Sequence, residues 1–247
     1  MKLLFIRPDK DAFLEYTILT KPVSEYAKRK GYRVVELEGD LAVREAVEGV
    51  IETFKPDIIY GIGHGQICTY TGQYLNRIFC GNCDDYCNFD NTEIVKGVKH
   101  VHLLSCLTGQ KLLPKMTGAG CESASGYFEK WLWVIDPDYE PREDPFAISF
   151  FECDNYFMYR IFEGDSVDDA YRKTYDYYTA KATAWAKWLE EHEDADPEIR
   201  ARVLASIKLL LHDRNALVFY GRMKPKFGEI FFLFGMFLMP FVILKKS

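Results

Sequence analysis

The chain has 247 residues, a formal net charge of −6 and 48% hydrophobic residues. This length fits one α/β domain with an appendage, and the composition is that of a folded protein, which excludes an intrinsically disordered one. An acidic chain of this kind assembles no broad basic face, so a nucleic-acid-binding role is also excluded.

Strand and helix patterns alternate along the first half of the chain. In chain order they are a strand over residues 2–6, a helix over 22–30, a strand over 33–37, a helix over 41–54, strands over 58–62 and 100–105, a short helix from Gln110 and a strand over 119–125. Asp40 is expected to cap the second helix. The order β-α-β-α-β predicts an α/β fold whose central sheet is mostly parallel and carries helices on both faces.

The second half is predicted to be mainly helical. Its helices cover residues 145–162, 167–191 and 197–211, and a last strand covers residues 215–220. Ser166 precedes the second of these helices and Asp169 follows three residues later, an arrangement that resembles a capping box.

Two strand ends carry the residue types of a thiol hydrolase. His64 and Gly65 follow the strand over residues 58–62, and Cys106 follows the strand over residues 100–105. The carboxyl ends of parallel strands share one edge of a sheet, where ligands bind. A histidine placed there takes the proton of a cysteine thiol and leaves a nucleophilic thiolate. The sequence therefore predicts His64 and Cys106 as a catalytic pair.

Backbone N–H groups complete the expected site. Acyl transfer needs donors aimed at the developing oxyanion, and we expect them from Gly65 and Cys106. Gly65 lacks a Cβ, so the backbone there can approach a substrate closely. The alternatives are a buried core thiol with an unrelated loop histidine, and a phosphate-binding loop over residues 61–65. That loop lacks a third glycine at the required spacing, which makes it the weaker alternative.

A cysteine-rich insertion over residues 66–91 lies between these two strand ends and is expected to be loop-like. It holds four of the seven cysteines of the chain, namely Cys68, Cys80, Cys83 and Cys87. The short apolar run at the N-terminus does not have the form of a secretory signal peptide, so a cytoplasmic, reducing setting is expected. In that setting the cysteines are nucleophiles, metal ligands or buried thiols rather than disulfides.

The four cysteines of the insertion are candidate metal ligands. Four thiolates complete a tetrahedral zinc site, and the zinc would hold in place a loop of low apolar content. Such a zinc ion is structural, and catalysis by the Cys–His pair needs no cofactor. Asp84, Asp85 and His100 are further candidate ligands. An iron–sulfur cluster on the same cysteines and a set of ordinary reduced thiols are the open alternatives.

The C-terminal tail, residues 223–247, differs from the rest of the chain. Residues 227–244 are almost wholly apolar, and Lys245 and Lys246 follow them. A membrane-spanning helix takes about 20 mostly apolar residues, so the tail is interpreted as a membrane anchor with a cationic end. A terminal helix or strand that docks on the domain or on a partner chain is the alternative.

The strand-end motifs resemble those of the caspase-like (clan CD) cysteine peptidases and are closest in look to the gingipain-type and CHAT branches. In that clan a His-Gly ends one strand and a Cys ends the next. Here residues 59–65 end in His64-Gly65, and residues 102–109 contain Cys106.

Two later stretches strengthen the resemblance. Residues 151–171 are similar to the helical segment that follows the catalytic strand, and residues 215–221 resemble the closing strand of gingipain-type domains. An aspartate and a proline usually follow the glycine of that strand. This chain departs from the pattern, with Arg222 and Met223 at those positions.

The resemblance covers residues 1–222 and implies a caspase-like catalytic domain with His64 and Cys106 as its dyad. It implies a cysteine endopeptidase that hydrolyses peptide bonds in a protein or peptide substrate, and it carries over no cleavage preference. Two alternatives stay open. One is a non-catalytic caspase-like module that uses a metal-bound cysteine-rich loop for binding or signalling, and the other is a thiol acyl-transfer enzyme such as an amidase.

Overall fold

The computed structural model describes residues 1–10, 13–83 and 86–221. The strands of this part of the chain are β1 Lys2–Arg7, β2 Arg33–Glu38, β3 Ile58–Ile62, β4 Gly65–Gln66, β5 Thr69–Thr71, β6 Arg77–Cys80, β7 His100–Leu104, β8 Ser123–Tyr127 and β9 Leu217–Gly221. Its α-helices are α1 Lys21–Arg29, α2 Arg44–Phe54, α3 Leu112–Gly118, α4 Pro145–Phe162, α5 Val167–Glu191 and α6 Pro197–Ala216.

Six strands form the central sheet in the order β2-β1-β3-β7-β8-β9. The first five of these strands are parallel to one another, and β9 pairs antiparallel with β8. The α/β class and the mostly parallel sheet are therefore confirmed. Because β3 and β7 are neighbours near the centre, their carboxyl ends lie side by side at one edge.

The sheet separates two apolar cores, as alternating side chains of each strand point to opposite faces. On one face, Leu3, Phe5 and Tyr60 pack with buried residues of α1, α4, α5 and α6. On the other face, Leu4 and Ile59 pack with buried residues of α2 and α3. Helices thus cover both faces, in agreement with the β-α-β pattern.

The insertion is a small antiparallel sheet rather than a loop. Strands β4, β5 and β6 pair in that order, and Gly81 forms a further bridge with Asp90. Tyr70, Ile78 and Phe79 are fully buried and join the core on the α2 side of the central sheet. The expectation of a loop was wrong. The segment is polar on average, but these three apolar side chains are enough to anchor it in the core.

The bounds of α2 and β8 differ from the sequence-based prediction. Helix α2 begins at Arg44 instead of residue 41, and Asp40 accepts a hydrogen bond from the Tyr74 hydroxyl (2.8 Å) instead of capping the helix. Strand β8 lies a few residues later than predicted and contains Gly126. A Cβ on Gly126 would come within 2.7 Å of the Leu103 carbonyl oxygen, so glycine is what lets β8 pack closely here.

The helical second half agrees closely with the prediction. Helix α4 has the predicted bounds, and Ser166 caps α5 by accepting a hydrogen bond from the Asp169 N–H at 3.1 Å. Helix α6 runs on to Ala216, past the predicted end at residue 211. The proposed membrane anchor, residues 227–244, lies outside the described residues. Within the described ranges, no helix is long and apolar enough to cross a membrane.

His100 is part of the buried interior and does not reach the cysteines. Its Nδ1 lies 2.9 Å from Ser123 Oγ, and its Nε2 lies 3.0 Å from Ser125 Oγ. Both ring nitrogens are therefore engaged, and His100 as a metal ligand is a wrong prediction. Burial, and then the neighbouring His102, lowers the pKa of His100 to about 3.

This lowered pKa makes stability depend on pH. Unfolding exposes His100 to water, where its pKa returns to about 6.5, so unfolding takes up a proton between about pH 6.5 and the folded value. The free energy of unfolding therefore decreases as the pH is lowered through that window, by up to ~1.4 kcal/mol per pH unit from this one group. We expect His100→Gln to flatten the decline, as measured by urea unfolding at several pH values between about 6.5 and 4.5.

His192→Gln is the matched control, because His192 is exposed at the end of α5. That variant should keep the wild-type slope. Identical slopes for His100→Gln and the wild type would contradict the prediction.

Candidate active site

The register of β3 and β7 brings the predicted catalytic pair together. Ile62 pairs with Leu104 in the parallel ladder, and His64 and Cys106 each lie two residues beyond that pair. The ladder continues past the strands through a hydrogen bond from the Gly63 N–H to the Leu104 carbonyl (3.2 Å). Neighbouring strands lie about 4.8 Å apart, so the two side chains start from adjacent positions on the same edge.

His64 and Cys106 line one cavity at this edge. The cavity has an empty volume of about 400 Å³, part of which is its open mouth. Its walls come from the segment after β1, the ends of β3 and β7, the segment after β8, and α4. The lining residues are Phe13, Leu14, Thr17, Ile62, Gly63, His64, Leu104, Ser105, Cys106, Trp131, Trp133 and Phe151.

The backbone turns sharply just after Cys106. Leu107 has φ +63°, in the left-handed region that side chains other than glycine seldom adopt. The turn is held because the Leu107 N–H donates to the Glu129 carbonyl at 3.1 Å and the Gln110 N–H donates to the Leu107 carbonyl at 3.0 Å. Such conformations concentrate at functional sites, where the surrounding structure maintains them.

Gly65 is required where the two strand ends touch. A Cβ on Gly65 would lie 2.0 Å from Ser105 Oγ and 2.5 Å from the Cys106 carbonyl oxygen. The sequence analysis explained this glycine by the close approach of a substrate. In the structure, glycine is required because a side chain at residue 65 would clash with Ser105 and Cys106, just after β7. The role of the Gly65 and Cys106 N–H groups as an oxyanion hole stays a prediction.

The thiol of Cys106 is half-buried and protonated in this arrangement. Its Sγ donates a weak hydrogen bond to the Trp131 carbonyl at 3.7 Å. Burial raises the pKa of Cys106 above its ordinary value. A thiolate therefore forms only when a base takes the proton, and His64 is the histidine among the cavity-lining residues.

An aromatic wall, formed by Phe13, Trp131, Trp133 and Phe151, faces the pair across the cavity. The Trp131 and Phe151 rings meet edge to face with centroids 4.9 Å apart, and the Phe13 and Trp133 rings do so at 6.1 Å. The sequence analysis did not identify these residues. The Trp-Leu-Trp run at residues 131–133, after β8, was the available signal. No local sequence pattern indicates that this run packs near Cys106.

A buried polar network fixes the base of the site. Asp154 of α4 accepts hydrogen bonds from the hydroxyls of Tyr60 and Tyr127, both at 2.8 Å, and lies 2.9 Å from His102 Nε2. These three partners belong to β3, β7 and β8. Tyr178 extends the network, since its hydroxyl is 2.9 Å from that of Tyr127 and accepts from Trp131 Nε1 at 3.3 Å. The network thus ties β3, β7 and β8 to the aromatic wall.

Asp213 supports the same wall from α6. Its Oδ1 accepts a hydrogen bond from the Leu132 N–H at 3.1 Å. In the sequence, Leu132 lies between Trp131 and Trp133, the two tryptophans of the wall. Burial raises the pKa of Asp213 well above its ordinary value. Burial therefore favours the neutral form of this carboxyl.

The four cysteines of the insertion converge in one cluster, but two of them differ from the expectation of free thiols. Cys68 and Cys83 form a disulfide with a Cα–Cα distance of 6.0 Å, while Cys80 and Cys87 are buried and take no part in this bond. The hairpins bring the first pair within disulfide reach, which their spacing in sequence does not reveal. With this bond formed, no group of three or more metal-ligating side chains is found among the described residues. Asp84 and Asp85 lie outside those residues.

No protein-family model matches the chain, and no curated protein matches it significantly. The resemblance to caspase-like peptidases therefore stays a prediction.

The contact at Gly65 leads to a stability prediction. Gly65→Ala places a methyl group into Ser105 and Cys106, so we expect a loss of ~1–3 kcal/mol in the free energy of unfolding. Gly49→Ala is the matched control, because a Cβ on Gly49 meets no atom within 4 Å and the site lies within α2. That change should stabilise by ~0.5–1 kcal/mol. Urea unfolding measures both, and equal stability of Gly65→Ala and the wild type would refute the close contact.

Proposed function

We propose that the protein is a caspase-like cysteine endopeptidase that hydrolyses peptide bonds through Cys106 and His64. The observation that supports this most strongly is the β3–β7 register, which places both residues two positions beyond one paired position and in one cavity. A core thiol and an unrelated loop histidine have no reason to share this edge.

The proposed reaction begins with proton transfer from Cys106 to His64. The thiolate sulfur then bonds to the substrate carbonyl carbon, and the N–H groups of Gly65 and Cys106 stabilise the oxyanion. As the C–N bond breaks, the imidazolium of His64 gives its proton to the departing amine and leaves a thioester on Cys106. A water molecule, deprotonated by His64, hydrolyses the thioester and restores the thiol.

The raised pKa of Cys106 favours this order of events. A buried thiol that is neutral at rest does not react with solvent oxidants as a free thiolate would. Proton transfer to His64 then accompanies substrate binding, when the mouth of the cavity is closed to water. The left-handed turn at Leu107 keeps the Cys106 backbone fixed during this step.

The cavity walls favour an apolar side chain on the carbonyl side of the scissile bond. Seven of the lining side chains are aliphatic or aromatic, and none of the lining residues that the structure describes is Asp, Glu, Lys or Arg. The apolar ones are Phe13, Leu14, Ile62, Leu104, Trp131, Trp133 and Phe151. A charged side chain placed there would lose its hydration without gaining a partner of opposite charge. We therefore propose Leu, Met, Phe or Tyr at this substrate position, unlike the charged or amide residues that many caspase-like peptidases prefer.

Two further donors are available to a bound substrate. Ser105 Oγ and Trp133 Nε1 are buried and have no hydrogen-bond partner within the described structure, and both residues line the cavity. Buried polar atoms are seldom left unpaired in native proteins. A substrate carbonyl or hydroxyl would satisfy them, which is a role that a purely structural cavity does not require.

The dyad is tested with a thiol-directed probe. A peptidyl ketone probe that alkylates active-site cysteines should label the wild type, and Cys106→Ala should abolish the label. We expect His64→Gln to lower peptide hydrolysis by on the order of 10³-fold or more. The readouts are mass spectrometry of the labelled peptide and fluorogenic peptide hydrolysis.

Cys121→Ser is the matched control for that experiment. Cys121 is buried two residues before β8, and its thiol donates to the Ser123 carbonyl at 3.1 Å, a bond that serine can replace. This variant should keep full labelling.

Labelling that survives Cys106→Ala would refute Cys106 as the nucleophile. A folded wild type with neither labelling nor hydrolysis would favour the non-catalytic module. Hydrolysis of small amides alone would favour an amidase.

The substrate preference is tested with a positional peptide library. We expect kcat/KM for Leu, Met, Phe or Tyr before the cut bond to exceed that for Arg, Lys, Asp or Asn by at least about 10-fold. Trp133→Ala should lower the rate for aromatic substrates selectively. Trp188→Ala, which removes a tryptophan stacked on His192 away from the cavity, should not. A preference for a charged residue would contradict the proposed pocket.

A further inference from the structure

Four cysteines from separate parts of the insertion meet in one buried cluster. Cys68 follows β4, Cys80 ends β6, and Cys83 and Cys87 come from the turn beyond it. Cys68, Cys80 and Cys87 have no exposed surface, and Ile67 and Phe89 pack around them. The chain thus gathers four of its seven cysteines at one point of a small sheet.

Backbone N–H groups are directed at one sulfur of the cluster, that of Cys87. The N–H groups of Gly81 and Asn82 donate to Cys87 Sγ at 3.1 Å and 3.2 Å. Cys80 Sγ lies within hydrogen-bond reach of Cys87 Sγ. Backbone N–H donors of this kind are strongest when the sulfur is negatively charged. In the metal-free form the Cys87 thiol donates to the Cys68 carbonyl at 3.2 Å, and the two N–H groups stabilise its sulfur once a metal takes the place of the proton.

Cationic side chains border the cluster. Lys115 Nζ donates to the Gly81 carbonyl, at the turn between Cys80 and Cys83, and pairs with Asp90 at 3.1 Å. The charge of Arg77 also acts on the Cys80 sulfur. A zinc ion with four thiolates carries a net charge of −2, so nearby cations and N–H donors lower the cost of placing it in a buried position.

We propose that Cys68, Cys80, Cys83 and Cys87 form a zinc site in the reduced protein and that the Cys68–Cys83 disulfide is its oxidised, metal-free form. A dithiol reductant is oxidised to its own disulfide and converts Cys68–Cys83 to two thiols. The four thiols then bind one Zn²⁺ and release four protons. In the reverse direction, a thiol oxidant removes two electrons from Cys68 and Cys83, which join through sulfur and release the metal.

The geometry allows this change with little movement of the backbone. The Cα–Cα distance of 6.0 Å between Cys68 and Cys83 suits a disulfide. Two thiolates on one tetrahedral zinc lie about 3.8 Å apart, given Zn–S bonds of about 2.3 Å. Rotation of the two cysteine side chains covers that difference. The proposed metal holds β4, β5 and β6 together, and it does not depend on the proposed peptidase function.

The site is tested by metal analysis of the full-length protein prepared with a dithiol reductant and zinc. We expect about one zinc per chain and no iron, and loss of the zinc after treatment with the thiol oxidant diamide. Cys83→Ser should lower the zinc content to well below one per chain. Cys121→Ser, which changes a buried cysteine outside the cluster, should keep it.

A second measurement covers the case in which Cys83→Ser does not fold. Titration of the reduced, metal-free wild type with Co²⁺ should produce the visible absorption of a tetrahedral thiolate complex, and Zn²⁺ should remove it. Absence of zinc from the reduced wild type, retention of zinc after diamide, or iron with acid-labile sulfide in place of zinc would overturn the proposal. Full zinc in a folded Cys83→Ser variant would also overturn it.

Discussion

The parallel pairing of β3 with β7 is the constraint on which the rest of the site depends. His64 and Cys106 are separated by the whole cysteine-rich insertion in the sequence, yet the ladder that pairs Ile62 with Leu104 puts them at equivalent positions. Asp154 reinforces this pairing from α4, because its carboxylate binds Tyr60 of β3 and Tyr127 of β8 and lies beside His102 of β7. A shift of the register by one residue would send His64 and Cys106 to opposite faces of the sheet.

The insertion acts as a support for the site rather than as a loop that happens to lie nearby. Its strand β4 begins at Gly65, and the Thr71 N–H donates to the His64 carbonyl at 2.9 Å. Tyr70 and Phe79 anchor the same sheet in the core, with their rings 5.8 Å apart. The cysteine cluster lies at the far end of these strands. Anything that tightens or loosens that end, whether a disulfide or a metal, therefore acts on the backbone that carries His64.

The elements that could be predicted from the sequence are those with local signals. Helix α4 and the start of α5 followed from apolar spacing and from the cap at Ser166, because capping and amphipathic burial are properties of a few consecutive residues. The position of β8 was missed because the predicted strand ends at residue 125, whereas Gly126 belongs to β8 and permits a close approach to β7. The pair His64 and Cys106 could be predicted, since strand order determines which ends meet. The aromatic wall could not, because Phe13, Trp131 and Phe151 are joined only by tertiary packing.

Cys106 and the cysteine cluster hold sulfur in different surroundings within one chain. Cys106 lies against the Trp131 carbonyl, which accepts from a thiol but repels a thiolate, so its negative charge is disfavoured until a base removes the proton. Cys87 receives two backbone N–H groups, which favour negative charge on its sulfur, and its thiol also donates to the Cys68 carbonyl at 3.2 Å. These two surroundings fit the different roles proposed for Cys106 and for the cluster: a thiol that reacts only after a base takes its proton, and sulfurs held by backbone N–H donors and a disulfide.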